Sequence, residues 1–120
     1  MDLKTEKLID LTAYGATGEV VMSAPTLRRT IDMKNEMGKG ARIIRKGGSV
    51  TMEDAPQGDM EILGILTYVE KAPFKRTVES FLTFCDELDA NDRGSASRLF
   101  DDMAIAAYEL DQGGASPLED

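Results

Sequence analysis

The chain has 120 residues, the length of one ordinary domain built on one core. With 42% hydrophobic and 30% charged residues it is too apolar for intrinsic disorder, and a net charge of −8 excludes a uniformly basic nucleic-acid binder. It contains no histidine and a single cysteine, Cys85, which excludes Ser-His-Asp and Cys-His catalysis, histidine-ligated zinc, an internal disulfide and multi-cysteine metal sites.

In chain order, the opening MDLKTEKLIDL is charged and lacks the apolar run of a signal peptide. Residues 7–12 alternate apolar and polar, the period of a half-buried strand. Tyr14-Gly15-Ala16-Thr17-Gly18 is a turn signal and Glu19–Met22 reads as a second strand, so the two form a hairpin. Ser23-Ala24-Pro25-Thr26 then opens a helix, because proline is pre-organised for a first helical turn. Its apolar stripe is Leu27, Ile31 and Met37, with Met33 at the flank, and Gly38 and Gly40 stop it. On this reading Arg28, Arg29 and Lys34 face water or a partner.

Residues 41–55 are read two ways. Ile43-Ile44 and Val50–Met52 flank Lys46-Gly47-Gly48-Ser49, the pattern of a hairpin across a glycine turn. Four nearby glycines (Gly38, Gly40, Gly47, Gly48) favour instead a partly mobile basic loop with some strand character.

The rest reads as helical. From Asp59 to Lys71 a wide apolar arc predicts a largely buried helix, stopped at Ala72-Pro73. Its core, Met60–Val69, is far short of the roughly 20 residues that span a bilayer, so a cytosolic protein is expected. A helix from Phe74 or Lys75 to Leu88 carries Val78, Phe81, Leu82, Cys85 and Leu88 as its stripe. After a linker, a helix over Ser95–Asp111 carries Ala96, Leu99, Phe100, Met103, Ala107 and Leu110. The expected fold is α+β and mainly helical: three to four helices packed with a small N-terminal antiparallel β-hairpin or sheet, as a single domain over residues 1–114 with a flexible acidic tail at 115–120.

Charge is bipolar along the chain. Residues 28–46 hold seven bases and two acids, for +5, whereas residues 47–120 hold five bases and sixteen acids, for −11. Such asymmetry suits head-to-tail self-association or a partner with complementary patches.

No motif in the sequence builds a reactive centre. Gly38-Lys39-Gly40 lacks the further elements of a phosphate loop or dinucleotide fingerprint. Asp89, Asn91 and Gly94 match three positions of a calcium loop, but Arg93 and Phe100 stand where oxygen ligands are needed. The acid pairs Asp86/Glu87 and Asp101/Asp102 point in different directions on a helix and read as solvated surface. Cys85 lies in an apolar stripe beside acids, conditions that raise a thiol pKa, so it reads as a core cysteine. No cofactor and no metal are expected. Of the methionines, Met33, Met37 and Met52 lie in the basic region and are assigned to a contact surface, since methionine lines adaptable interfaces.

The order of a small β element, a helix opening Ala24-Pro25-Thr26-Leu27-Arg28, a glycine-rich middle and acidic helices resembles the tail assembly chaperones of long-tailed phages and related proviruses. The resemblance is carried by Ser23–Asn35, by Gly58–Phe84 (above all Tyr68-Val69-Glu70-Lys71-Ala72-Pro73-Phe74) and by Ala115-Ser116-Pro117-Leu118-Glu119. The strongly basic middle of this chain has no counterpart among the features that carry the resemblance. The resemblance implies a non-enzymatic protein of the host cell cytoplasm that coats a coiled-coil tape-measure protein until tail-tube subunits replace it. Self-association is expected, with no membrane and no direct nucleic-acid partner. From the residues themselves, the expected partner-binding set is Leu27, Arg28, Arg29, Ile31, Met33, Lys34, Met37, Arg42 and Arg45, which joins an apolar stripe to concentrated positive charge. The alternative is a small acidic inhibitor that mimics nucleic acid and blocks a basic channel of a host enzyme, suited by the ten acids and two bases of residues 86–120.

Overall fold

Alternation at the N-terminus does build a hairpin. In the computed structural model, which describes residues 5–39, 42–53 and 57–112, strand β1 (Glu6–Asp10) pairs antiparallel with β2 (Glu19–Ser23), register Leu8 to Val21. Their connection is more ordered than a plain turn. The Asp10 carboxylate accepts from the Thr12 N–H at 3.0 Å and caps a 3-10 turn over Leu11–Tyr14, and Gly15 closes it at φ 88°. That positive φ is glycine territory, so the residue type fixes the exit. The turn buries Leu11 and Tyr14, which become part of the core.

Helix α1 (Leu27–Lys39) starts two residues after Pro25. Its first turn is held by the Thr26 hydroxyl, which accepts from the Arg29 N–H at 3.1 Å, the role of an N-cap. Strands β3 (Arg42–Lys46) and β4 (Ser49–Glu53) follow as a hairpin of their own. The expectation of a partly mobile loop at residues 41–55 is therefore corrected over the described part: Gly47 and Gly48 take φ 50° and 89°, the paired left-handed conformation of a two-residue hairpin turn. This hairpin forms a two-stranded sheet separate from the first.

The apolar run expected as one helix over residues 59–71 is divided. Helix α2 spans Gln57–Leu66, and Val69–Lys71 form strand β5 against β2, making a three-stranded sheet in the order β1-β2-β5. The helix ends where the Thr67 hydroxyl donates back to the Leu63 carbonyl at 2.7 Å. The Tyr68 carbonyl then accepts from the Ser23 N–H at 2.9 Å. A free edge on β2 thus outcompetes another helical turn. Helix α3 spans Val78–Asn91, later than the expected start at residues 74–75, because the Thr77 hydroxyl caps it by accepting from the Ser80 N–H at 3.2 Å. After a tight turn through Gly94 at φ 89°, α4 covers Ser95–Asp111, the range read from the sequence.

The fold is thus α+β and mainly helical, with four helices and a three-stranded antiparallel sheet at the N-terminus. One core joins them: Leu11, Val20 and Met22 from the sheet side, Leu66 from α2, Phe81 and Leu88 from α3, Leu99 and Met103 from α4. Phe81 stacks edge-on against Phe74 at 5.1 Å and tilted against Phe100 at 6.0 Å, geometry that aromatic rings favour. Tyr14 donates its hydroxyl proton to Asp102 and ties the 3-10 turn to α4. Burial and the Asp102 carboxylate push the Tyr14 pKa up to about 12. The expected acidic tail at 115–120 lies outside the described residues. Among the described residues no helix is long and apolar enough to cross a membrane.

Candidate interaction surface

Helix α1 divides the residues of its expected stripe between two faces. Arg29, Met33 and Met37 recur every four residues and face the protein: Arg29 and Met33 are buried, and Met37 is half-buried against the core. Leu27 and Ile31, also four apart, face outward at 76% and 48% exposure. Arg28, Asp32 and Lys34 are exposed with them. Leu27, Arg28, Ile31 and Asp32 line a shallow depression of about 310 Å³.

Three members of the expected partner-binding set are thereby corrected, among them Met37, which packs half-buried against the core. Arg29 is 7% exposed and belongs to the framework. One terminal guanidinium nitrogen donates to the Ser23 carbonyl at 2.7 Å and to the Ser23 hydroxyl at 3.1 Å, and Nε donates to the Thr67 carbonyl at 2.9 Å. The Ser23 hydroxyl in turn donates to Glu70 at 2.9 Å. The planar, forked guanidinium meets carbonyls of two chain segments at once, which a lysine cannot do. Burial, with the nearby Arg76 charge, lowers the Arg29 pKa, while Glu70 opposes that shift. Met33, 2% exposed, is a core residue and not a contact-surface methionine. Arg42, Arg45 and Met52 lie on the β3–β4 hairpin, with side chains outside the described residues. The structure therefore groups Leu27, Arg28, Ile31 and Lys34 on one outward face and withdraws Arg29, Met33 and Met37 from it.

A second surface was not visible in the sequence. Between α3 and α4 lies a groove of about 330 Å³. Its floor is apolar, with Phe81, Leu82, Cys85 and Phe100, and every charged residue lining it is acidic: Asp86, Asp89 and Asp101. Leu82, assigned to the core stripe, is instead 44% exposed there. The signal that could have found it is the width of the α3 arc, where Val78, Phe81, Leu82, Phe84, Cys85 and Leu88 exceed what one neighbouring helix covers. The Cys85 thiol is pushed up to about 11 by burial and by Asp89 and Asp86, so it stays protonated and unreactive at neutral pH.

The acids of the former calcium-loop match are used internally. Asp89 accepts from the Ala96 N–H at 3.0 Å and serves the start of α4, and Asp92 accepts from Arg98 at 3.2 Å. Among the described residues no group of three or more His, Cys, Asp or Glu is placed to hold a metal ion. No protein-family model, curated protein or solved structure matches the chain.

Proposed function

We propose that this chain is a non-enzymatic tail assembly chaperone of the host cell cytoplasm, whose copies coat a long helical tape-measure protein and yield to tail-tube subunits. The observation that supports it is the outward stripe of α1, where Leu27 and Ile31 are presented to solvent beside Arg28 and Lys34. An isolated domain gains nothing from two large apolar side chains so placed, whereas a binder of amphipathic helices uses such i, i+4 anchors. The anchors are few and peripheral, which suits a contact that must later be released. Co-expression with the long coiled-coil protein of the same locus tests the reading. The wild-type chain should keep that client soluble and co-purify with it, and Leu27→Asp/Ile31→Asp should lose most of the capture. A client equally soluble without the chaperone, or equally captured by the double variant, overturns it.

The acidic groove favours a second reading, an inhibitor that mimics nucleic acid. It is the less supported, because the groove has an apolar floor that a phosphate backbone does not imitate, and one of its three aspartates, Asp89, is engaged with the Ala96 N–H.

A further inference from the structure

The outward face of α1 and the α3–α4 groove are opposites in both shape and charge. One offers two projecting apolar side chains, Leu27 and Ile31, flanked by Arg28 and Lys34. The other offers an apolar floor with Leu82, Phe81 and Phe100 inside an acidic rim of Asp86, Asp89 and Asp101. A volume of about 330 Å³ lies at the small end of the range of protein binding pockets and suits a pair of aliphatic side chains rather than a whole helix. The two surfaces occupy different elements, α1 and the α3–α4 pair, so a single copy presents both.

We infer that the α1 face of one copy docks in the α3–α4 groove of the next, so that the chain assembles head to tail. Leu27 and Ile31 fill the groove, and Arg28 and Lys34 face Asp86 and Asp101 on its rim, Asp89 being engaged with the Ala96 N–H. Burial of the apolar pair supplies the attraction, and the charges set the orientation and the rate of encounter. Because donor and acceptor surfaces differ, the contact is heterologous, and repeating it produces a ring or an open filament rather than a closed twofold dimer. Asp32 is the one member of the α1 face that opposes the acidic rim, and it keeps the contact weak. This assignment rests on the chaperone reading and deepens it: a neighbouring copy covers the α1 face until a client helix competes for Leu27 and Ile31, and the contact between copies needs no client for its test.

Sedimentation velocity of the chain alone, from about 10 to about 500 µM, reads the association. The wild type should grow beyond dimer with concentration and shrink when salt is raised from about 50 to about 500 mM. Leu27→Asp/Ile31→Asp removes the donor face, and Leu82→Asp spoils the acceptor floor while adding no charge that attracts the altered donor. Each should be monomeric alone, and their mixture should form a one-to-one dimer and nothing larger, since one intact face of each kind remains. Asp32→Asn should tighten association several-fold. All four positions are solvent-exposed, and circular dichroism checks that the fold is kept; Leu82→Gln replaces Leu82→Asp if it is not. A wild type that stays monomeric throughout overturns the inference, as does an association untouched by either variant. A mixture that stays monomeric also overturns it, because a face that pairs with itself is not rescued by mixing. For Leu27→Asp/Ile31→Asp, association lost while client capture persists refutes the chaperone reading alone, and capture lost while association persists refutes this contact alone.

Discussion

Helices α1 and α4 are both amphipathic, yet they spend their apolar residues differently. Helix α4 leaves Ile105 and Tyr108 outside but buries Leu99, Met103, Ala107 and Leu110 along one continuous line, and is further tied down through Asp102 to Tyr14. Helix α1 buries one large apolar side chain, Met33, fully and rests otherwise on an arginine, while Leu27 and Ile31 remain outside. The difference teaches that an apolar stripe does not by itself tell which face of a helix packs. What decides is which face finds partners, and a buried guanidinium with three hydrogen bonds can outweigh two aliphatic side chains.

The largest test of this contrast lies on the α4 side. Phe81→Ala opens a cavity among Phe74, Phe100 and the α4 stripe and should cost about 3–5 kcal/mol in chemical denaturation. A cost near zero would mean that the core is not shared by α3 and α4. On the α1 side, Arg29→Ala leaves the Ser23 and Thr67 carbonyls without their donor and should cost about 2–3 kcal/mol. Arg29→Lys should recover only part of this, since an ammonium lacks the fork. Equal stability of the alanine variant would make Arg29 a surface residue after all.

A smaller effect separates the tether of α4 by pH. Tyr14 ionises less readily in the folded state, with a pKa near 12 against 10.0 when free, so the folded protein holds this proton to higher pH. Its contribution is complete below about pH 10 and is lost as pH rises from there towards 12. Denaturation midpoints of Tyr14→Phe should therefore be lower than wild type near neutrality, by about 1 kcal/mol, and should fall less steeply over that alkaline range. Parallel pH profiles would show that the phenol is not coupled to the fold. Least of all, Leu27→Ser with Ile31→Ser should change stability by no more than about 0.5 kcal/mol, because neither residue packs. A larger loss would place them in the core and remove the outward face.

Where the code is local, it was legible. The stripe from Ala96 to Leu110 has a strong helical period, and α4 spans the residues it predicted. The first hairpin followed from alternation and glycine placement. Legibility failed where pairing is distant. Nothing near Arg29 announces the Thr67 carbonyl it serves, and hydropathy assigns an arginine to the surface. Val69–Lys71 carries the apolar character of the helix before it, and only the open edge of β2 makes it a strand. Tyr14 looked like turn furniture because its partner, Asp102, lies on α4. The groove is a property of helices packed side by side, with Ile62 of α2 joining α3 and α4 in its lining, so no single segment contains it. Half of the candidate surface was thus readable as residue types, while its orientation was not.

The adjacency of β2 and β5 has a consequence for how this chain tolerates change. Everything from α1 to α2, including the β3–β4 hairpin, is a loop whose two ends are clamped by paired strands of one sheet. The entropy of closing such a loop rises only with the logarithm of its length, by about 0.6 kcal/mol for each doubling. Insertions or deletions between Lys39 and Gln57 therefore leave the sheet and the α3–α4 pair almost unaffected, while they redraw what the molecule presents to others. The domain can change its grip without changing its frame.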